Sequence, residues 1–325
     1  MSLLEVDSLT VDYRASRGTI RAVEDVSFSL EKGKTLGLAG ESGSGKSTLG
    51  LSIIRLVPYP GVIVKGHIKI DQTDILGLPE PKIRSIRGRK VAYVFQDPMT
   101  SLSPVKRISA HSTELIRTHE PNTSKEEAIE RTKTILKDLG ILPERINDYP
   151  HQFSGGMRQR IMIGLAVALN PDLVIADEPT TALDVIVQAK ILDLLENLRK
   201  KHGMALILIS HDLSIILERC DKIIVMYAGR ILEYASSVEL HRNPRHPYTR
   251  GLLQSIPNVE LADQKLAAIP GSPPNMLNPP KGCRFWPRCA HVMEICRTKE
   301  TPLVDIGHNH FVRCFRYHKE WTKVE

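Results

Sequence analysis

The strongest constraint on the fold of this chain is a glycine-rich segment, Gly40–Ser47, which fits the pattern G-x-x-x-x-G-K-S and is followed by Thr48. The short apolar run Thr35–Ala39 before it predicts a buried strand, and Lys46–Leu56 after it predicts a helix that Pro58 stops. Glycines lack a Cβ, so backbone N–H groups can wrap phosphate oxygens, and a helix N-terminus adds the positive end of a dipole. The strand–loop–helix order therefore predicts a phosphate-binding loop in an α/β fold.

Two side chains of this loop have specific expected roles. Lys46 is expected to reach the β- and γ-phosphates of a nucleotide, and the Ser47 hydroxyl is expected to ligate Mg²⁺. A chance match in a glycine-containing loop is the alternative, which the flanking strand and helix oppose. The predicted nucleotide-binding residues of the loop are Gly40, Ser42, Gly43, Ser44, Gly45, Lys46, Ser47 and Thr48.

A second apolar strand, Leu173–Ala176, runs into Asp177 and Glu178. Ligands of parallel sheets gather at the C-terminal ends of strands, so these carboxylates are candidates for a nucleotide site. Asp177 would hold Mg²⁺ through water, and Glu178 would act as a base or polarise the attacking water. Alone, an apolar run ending in Asp-Glu is equally well a strand that ends at the surface. Together with the phosphate-binding loop it predicts an ATPase.

Strand patterns alternate with helical patterns along the chain, which predicts a mainly parallel sheet covered on both faces. Residues 3–30 alternate apolar and polar side chains and predict an N-terminal antiparallel β subdomain. Residues from 98 to about 165 change to helical periodicity and predict a helical insert. After about residue 240 the composition shifts to Pro, Arg, His and Cys. We therefore expect an ATPase domain over 1–240 and a C-terminal extension over 241–325.

Helix caps support this division. The capping box at Ser124–Glu127 predicts a helix that stops at Gly140. Ser154 predicts the N-cap of a further helix that runs to Asn170. The amphipathic segment Val187–Lys201 predicts a helix after the second strand.

The composition is that of an ordinary globular protein, with 42% hydrophobic and 25% charged residues. The longest apolar run, Ile161–Leu169, is about half the ~18 residues needed to cross a bilayer. The N-terminus shows no signal-peptide pattern, so we expect the chain to stay in the cytoplasm. The net charge of +7 is not gathered in blocks, which favours scattered solvated side chains over a nucleic-acid surface.

Further motifs appear in a fixed order, and through them the chain resembles the ABC transporter ATPase family over about residues 3–240. The matching positions are Gln96 for the Q-loop, Ser154-Gly-Gly156 for the signature motif, Ala182-Leu-Asp184 for the D-loop, His211 for the switch histidine and Tyr13 for the aromatic that stacks on adenine. Each residue alone has an ordinary explanation, such as a helix cap, a surface histidine or a packed tyrosine. Their order along the chain makes the resemblance specific.

The resemblance implies a role for each position. Gln96 would contact Mg²⁺ and the attacking water, and His211 would bond the γ-phosphate and orient Glu178. Asp184 would carry signals between two ATP sites.

The signature motif is expected to act in the opposite subunit. Ser154, Gly155 and Gly156 would bind the γ-phosphate of ATP held by that subunit, at a helix N-terminus. The motif departs from the commonest pattern at Phe153 and Met157, while its Ser-Gly-Gly core is intact.

Two stretches of the extension narrow the resemblance. His241–Leu253 and Ile269–Pro274 look like the extension of the dipeptide, oligopeptide and nickel importer ATPases. The resemblance therefore implies an importer.

Four of the five cysteines lie in the last 43 residues, with the spacing Cys283-x5-Cys289-x6-Cys296-x17-Cys314. Four thiolates can hold an iron–sulfur cluster or a structural Zn²⁺, and zinc sites more often show close cysteine pairs. The pattern is similar to the [4Fe–4S] motif of some dipeptide-importer ATPases, which favours the cluster over zinc. Three further histidines of this region, His291, His308 and His310, could be ligands in a mixed zinc site, but we expect them at the surface. The remaining cysteine is expected to be packing.

The resemblance implies that the chain hydrolyses ATP to energise import of di- or oligopeptides from the cytoplasmic face of the membrane. Expected partners are a second, distinct ABC ATPase subunit, two transmembrane permease subunits and, indirectly, an external solute-binding protein, without nucleic acid. Nickel or oligosaccharide import is the alternative substrate class. A soluble ABC ATPase acting on ribosomes or DNA is the alternative from another class, and the single cassette without a long insertion opposes it.

Overall fold

The computed structural model describes residues 2–97, 101–181, 183–256 and 268–318. The chain divides into two compact units. The helical unit comprises 31–34 and 77–207, and the sheet unit comprises the described parts of 2–30, 35–76 and 208–325. The C-terminal extension therefore shares a unit with the N-terminal strands.

The N-terminal region of the sheet unit forms a four-stranded sheet with the order β2-β1-β4-β5. Its strands are β1 (Ser2–Ala15), β2 (Gly18–Glu31), β4 (Gly61–Ile70) and β5 (Thr73–Asp74). β4 pairs antiparallel with both β1 and β5. Along β2, Val26, Phe28 and Leu30 are buried while the residues between them are exposed. The predicted antiparallel β subdomain is confirmed.

The remaining strands of the sheet unit follow the order β11-β12-β10-β9-β3. They are β3 (Thr35–Ala39), β9 (Lys222–Tyr227), β10 (Arg230–Ser236), β11 (Val304–Asp305) and β12 (Phe311–Val312). β3 and β9 are parallel, whereas β10 pairs antiparallel with β9 and β12. The extension therefore adds strands to an edge formed by β10.

Among the described residues of this unit, five helices accompany these strands. They are α1 (Lys46–Ile53), α7 (Leu213–Arg219), α8 (Ser237–Arg242), α9 (Pro247–Gln254) and α10 (Glu294–Thr298). The first of them ends three residues before the predicted Leu56, because Arg55 takes a left-handed φ of 52°. Short 3₁₀ turns at Trp286–Arg288 and Phe315–Tyr317 complete the described part of the extension.

The helical unit has three strands in the order β8-β7-β6. They are β6 (Val91–Val94), β7 (Leu173–Asp177) and β8 (Ala205–Ile209), whose last two residues belong to the sheet unit. β6 and β7 are parallel, as the alternating pattern predicts, and every residue of β7 is buried. β6 ends at Val94, and the next residue, Phe95, is exposed.

Helices make up most of the remaining described residues of this unit. They are α2 (Glu80–Ile86), α3 (Ile108–His119), α4 (Lys125–Asp138), α5 (Gly155–Val167) and α6 (Val185–His202). The Ser124 hydroxyl accepts a hydrogen bond from the backbone N–H of Glu127 at 3.0 Å, and Gly140 has a left-handed φ of 69°. Both predicted ends of α4 are confirmed. Within the described ranges, no helix is long and apolar enough to cross a bilayer.

Candidate functional site

The glycines of the phosphate loop have backbone conformations that favour glycine, and Gly40 and Gly45 also have no room for a side chain. Gly40, Gly43 and Gly45 have φ angles of 143°, 76° and 103°. A Cβ on Gly40 would lie 2.2 Å from the Met226 carbonyl oxygen, and one on Gly45 would lie 2.3 Å from the Ala22 carbonyl oxygen. Real Cβ atoms do not approach oxygen this closely, so the loop backbone packs directly on neighbouring backbone.

Lys46 folds back over this loop and is almost fully buried. Its Nζ donates to the carbonyl oxygens of Gly40 at 2.7 Å and Glu41 at 3.0 Å, and to the Ser44 hydroxyl at 3.4 Å. The ammonium group is therefore held inside the loop. The first turn of α1 contains no acidic residue to offset the positive end of its dipole. A glycine-rich loop that runs into a helix N-terminus in this way is typical of anion-binding concavities.

Tyr13 lies beside the start of α1, where its hydroxyl is 3.5 Å from the Thr48 hydroxyl. Its ring also packs on Gly61, whose Cβ would lie 2.9 Å from the ring. His211 belongs to the same unit, is exposed, and follows the end of β8. Asp212 then caps α7 through the backbone N–H of Ser214 at 2.9 Å.

The helical unit brings together three predicted residues, Gln96, Asp177 and Glu178. The Gln96 amide donates to the Glu178 carboxylate at 3.2 Å, and the Thr181 hydroxyl donates to the same oxygen at 3.0 Å. Glu178 has a left-handed φ of 44°, which is uncommon for a residue other than glycine. Such strain persists where its surroundings hold it, and it is frequent at functional sites.

Asp177 is the last residue of β7 and is buried. The Tyr93 hydroxyl donates to its carboxylate at 2.7 Å. Burial and the Asp177 charge raise the pKa of Tyr93, so the phenol keeps its proton and remains a donor. Tyr93 was missed at the sequence level, because a tyrosine in a strand is usually packing. Its position in β6, the strand paired with β7, is the signal that could have found it.

The signature motif begins α5. The exposed Ser154 caps this helix, accepting a hydrogen bond from the backbone N–H of Met157 at 3.3 Å. Phe153 is buried and lies under the Arg145 guanidinium, 4.2 Å from its ring centre. This departure from the commonest signature is therefore an anchor for the turn that presents Ser154.

Asp184 caps α6 through the backbone N–H of Val187 at 2.9 Å. The first turns of α5 and α6 are neighbours, since a Cβ on Gly156 would lie 2.8 Å from the Val187 side chain. In the first turn of α6, Val185 and Ile186 are 81% and 68% exposed. Ala182 of the predicted D-loop lies outside the described residues, as do 98–100 next to Gln96.

The four cysteines of the extension lie near one another. Burial raises the pKa of Cys314 to about 12, and the nearby thiols of Cys283, Cys289 and Cys296 add to the increase. The backbone N–H of Cys283 also bonds the Cys296 carbonyl at 2.9 Å. Across the described ranges, no group of three or more His, Cys, Asp or Glu side chains is arranged as a metal-ligand set. The structure thus gathers the thiols without showing a metal centre.

The expected surface position of His310 is wrong. It is buried, and its Nε2 lies 2.7 Å from the buried Glu233 carboxylate. That carboxylate also accepts the backbone N–H groups of Arg245 and His246. Burial opposes ionisation, but these bonds outweigh it and hold the pKa of Glu233 below its usual range. The isolated cysteine, Cys220, is buried against Gly37, as expected of packing.

Comparison with known families identifies two regions of the chain. Residues 23–181 match the family described as ABC transporter, and residues 232–296 match the family described as oligopeptide/dipeptide transporter, C-terminal region. The oligopeptide transport ATP-binding protein OppD of Bacillus subtilis (strain 168) is 44% identical over 327 residues, covering 99% of this chain and 91% of that protein. The chain belongs to the ABC transporter family, among the ATP-binding subunits of the oligopeptide and dipeptide type.

Other relatives of this ABC subunit agree. The dipeptide transport ATP-binding protein DppD of Haemophilus influenzae (strain ATCC 51907 / DSM 11121 / KW20 / Rd) is 44% identical, covering 94% of this chain and 93% of that protein. A dimeric post-hydrolysis structure of the ATP-binding cassette MJ0796, bound to ADP and Pi, superposes with a TM-score of 0.65 and 28% identity. It covers 72% of this chain and 98% of that cassette. The ABC subunit is therefore an ATPase with a full cassette fold.

Proposed function

We propose that this ABC subunit hydrolyses ATP to energise import of oligopeptides or dipeptides through a membrane transporter. The observation that carries the proposal is the combination, in one chain, of the phosphate loop with its buried Lys46 and a C-terminal region of the oligopeptide/dipeptide type. The proposed reaction is ATP + H₂O → ADP + phosphate. In the proposed domain division, 1–240 form the ATPase domain, with a helical subdomain at about 98–165, and 241–325 form the extension.

The proposed nucleotide contacts use the loop as the structure presents it. The loop backbone of Gly40–Gly45 and the start of α1 would surround the phosphates, and Lys46 would turn its ammonium group from the loop carbonyls to the β- and γ-phosphates. Tyr13, beside Thr48, would stack on the adenine. The exchange of carbonyl partners for phosphate oxygens keeps the charged group bonded throughout.

The residues present fit a hydrated Mg²⁺. Mg²⁺ prefers oxygen ligands, and Ser47 would supply a hydroxyl, Gln96 an amide oxygen and Asp177 a carboxylate that acts through water. When bound, the ion neutralises charge that develops on the transferring phosphoryl group. Tyr93 holds the Asp177 carboxylate in one orientation with its 2.7 Å hydrogen bond.

Glu178 is the proposed base. It would accept a proton from, or polarise, the attacking water, while the Gln96 amide already bonded to it would orient that water. His211 would donate to the γ-phosphate and orient Glu178.

The proposed assembly is a head-to-tail pair of ATPase subunits. Ser154, Gly155 and Gly156 would bind the γ-phosphate of ATP held by the partner, and Asp184 would lie near the pair's interface. The exposed Val185 and Ile186 beside Asp184 support this, because apolar side chains so exposed are typical of an interaction surface. We propose a distinct paralogue as the partner.

Binding of two ATP molecules would close the pair of ATPase subunits. This closure would be transmitted to two permease subunits through the helical subdomain and the segment from Gln96 to Pro104. A solute-binding protein outside the membrane would select the peptide. The chain would thus sit peripherally at the cytoplasmic face. Nickel and oligosaccharides remain alternative solutes, and a role on ribosomes or DNA remains the alternative from another class.

The test replaces Glu178 by Gln in the full chain, with Glu218→Gln as control, since that side chain is 69% exposed in α7. Loss of a general base predicts a fall of about 10²–10⁴-fold in phosphate release, with ATP still bound. The E178Q variant should also accumulate an ATP-dependent pair with its partner, measured by light scattering. Unchanged turnover in E178Q, or co-purification with ribosomes instead of permease subunits, would contradict the proposal.

We further propose that Cys283, Cys289, Cys296 and Cys314 hold a [4Fe–4S] cluster, with zinc as the alternative. The mutual proximity of the four thiols and the burial of Cys296 support the proposal, although the described side chains do not form a ready ligand set. Bound to the thiolates, the group would act as a structural cross-link in the extension.

Metal analysis of anaerobically purified protein tests this. The cluster predicts four iron and four sulfide per chain and absorption near ~400 nm, lost in Cys283→Ser and kept in Cys220→Ser. Colourless protein with one zinc per chain would favour the alternative.

A further inference from the structure

Glu41, the second residue of the phosphate loop, is held by three different groups. Its backbone N–H donates to the Tyr248 hydroxyl at 2.9 Å, and its carbonyl oxygen accepts the Lys46 ammonium at 3.0 Å. Its carboxylate accepts both terminal nitrogens of Arg288, at 2.7 and 3.0 Å. Two of these three partners belong to the C-terminal extension.

Arg288 is fixed on every side. Its side chain is only 5% exposed, and its Nε donates to the Pro270 carbonyl at 2.8 Å. The guanidinium carbon lies 5.7 Å from the centre of the Tyr227 ring. The hydrogen bonds to Glu41 are the main reason that the pKa of Arg288 lies above its usual value, so the group is charged at every relevant pH. A buried, bidentate and pre-oriented pair is the strong kind of ion pair.

Tyr248 is equally fixed. It is fully buried in α9, and its ring centre lies 4.8 Å from that of Tyr227 and 5.3 Å from that of Phe285. Burial raises the pKa of its hydroxyl, which therefore stays protonated and neutral beside Glu41. The extension thus presents two rigid side chains to one residue of the loop.

We infer that Arg288 is a positioning residue for ATP binding, which acts through Glu41 on the conformation and charge of the phosphate loop. The inference rests on the proposed function, because it assumes that this loop binds ATP. Arg288 itself is not expected to touch the nucleotide.

Two physical effects follow from the pair. An unpaired Glu41 carboxylate would place a negative charge one residue from Gly40 and oppose the approach of a triphosphate, whereas the paired carboxylate is neutralised. The pair also fixes the Glu41 carbonyl that receives Lys46, so the loop is ordered before ATP arrives and binding does not bear that entropic cost. Both effects act on affinity, so KM should change more than kcat.

The experiment measures the Kd of a fluorescent ATP analogue with Mg²⁺, together with KM, kcat and Tm, for the full chain. Arg288→Gln should raise Kd and KM about tenfold and leave kcat within about twofold, since it removes a charge-assisted bidentate contact. Arg288→Lys keeps the charge but not the fork and should raise Kd about threefold. Arg242→Gln, an exposed arginine of the same extension, is the matched control and should bind as the unchanged chain does.

The double variant Glu41→Gln/Arg288→Gln separates positioning from general stability. It removes the unpaired carboxylate, so it should bind the analogue more tightly than Arg288→Gln alone. The inference would be overturned if both Arg288 variants bound the analogue as tightly as the unchanged chain. It would also be overturned if the double variant bound no more tightly than Arg288→Gln and the loss of affinity in each variant matched its loss of Tm. If Arg288→Gln does not fold, Arg288→Lys and the double variant still decide. Failure of the unchanged chain to bind the analogue would instead overturn the proposed function, and this inference with it.

Discussion

The phosphate loop and the cysteine segment both contain little regular secondary structure, yet their conformations have different origins. We define the cysteine segment as Cys283–Cys314. The loop is bounded by the buried strand β3 and by α1, and its left-handed glycines fix its course. The cysteine segment contains only a 3₁₀ turn, one helix of five residues and two strands of two residues. Local backbone requirements define the first, whereas the second depends on contacts distant in sequence.

Arginines make those distant contacts. Arg284 donates to the Ala228 carbonyl and to the Glu24 carboxylate, and Arg313 donates to the Ile231 carbonyl at 2.9 Å. Their partners lie 56, 260 and 82 residues away along the chain. Gly40 and Gly45 of the loop therefore have no room for an added atom, whereas the cysteine segment depends on buried arginines and their distant partners.

The largest expected effect is that of Gly45→Ala in the loop. The new Cβ would meet a backbone oxygen at 2.3 Å at a φ of 103°, and neither atom can move without shifting a strand. We expect the free energy of unfolding to fall by about 4 kcal/mol, combining strain and overpacking. Urea unfolding followed by circular dichroism measures this loss.

Gly43→Ala is the control for this prediction. Its φ of 76° is also left-handed, but nothing lies within 4 Å of its Cβ position. We expect about 1 kcal/mol, from backbone strain alone. Equal losses in the two variants would show that contact with neighbouring backbone does not define the loop.

A second, slightly smaller effect concerns Glu24, which joins the cysteine segment to the sheet unit's strands. Burial opposes its ionisation, but hydrogen bonds and charges from Arg230, Arg284 and Arg21 lower the pKa of Glu24 from 4.5 to about 2. Glu24→Gln removes the carboxylate that the buried Arg230 and Arg284 share, and it should lower the free energy of unfolding by about 3 kcal/mol near neutral pH.

The pH dependence of this effect has a defined sign. Because the folded-state pKa is the lower one, the contribution of Glu24 to stability is complete above pH 4.5 and is lost as pH falls towards 2. Between pH 4.5 and 2, the free energy of unfolding should therefore decrease less steeply with falling pH in Glu24→Gln than in the unchanged chain. The control is Glu294→Gln, because the Glu294 side chain is 87% exposed in the same segment. This variant should keep the pH dependence of the unchanged chain. The same pH dependence in the unchanged chain and both variants would show that Glu24 does not contribute to acid unfolding.

The smallest expected effect is that of Gly251→Ala in α9 of the extension. Its Cβ would meet the Ile269 side chain at 2.7 Å, but a side chain can rotate away, and alanine favours the helix. We expect a net loss of about 1 kcal/mol or less. A loss as large as that of Gly45→Ala, in the same urea measurement, would mean that the extension is as tightly specified as the loop.

Much of the fold could be predicted because its signals are local. The loop, the Ser124 cap, strand β3 and the alternating burial along β2 depend on residues within a few positions of one another. The error of three residues at the end of α1 arose where a backbone angle, and not hydrophobicity, ended the helix.

The missed residues are those whose roles depend on partners distant in sequence. Tyr93 bonds Asp177 84 residues away, and His310 pairs with Glu233 77 residues away. Arg288 reaches Glu41 across 247 positions. Nothing near these residues in the chain indicates that their polar atoms are buried with a partner.

The sequence by itself determined the phosphate loop, the order of strands and helices, and the family to which these motifs point, because glycine conformation, hydrophobic period and helix capping act over a few residues. Only the tertiary structure decided that the extension packs with the N-terminal strands, that four thiols gather there, and that Arg288 and Tyr248 hold the loop. A buried charge or hydroxyl is stable only opposite a fitting partner, and the fold alone decides which distant residue that partner is.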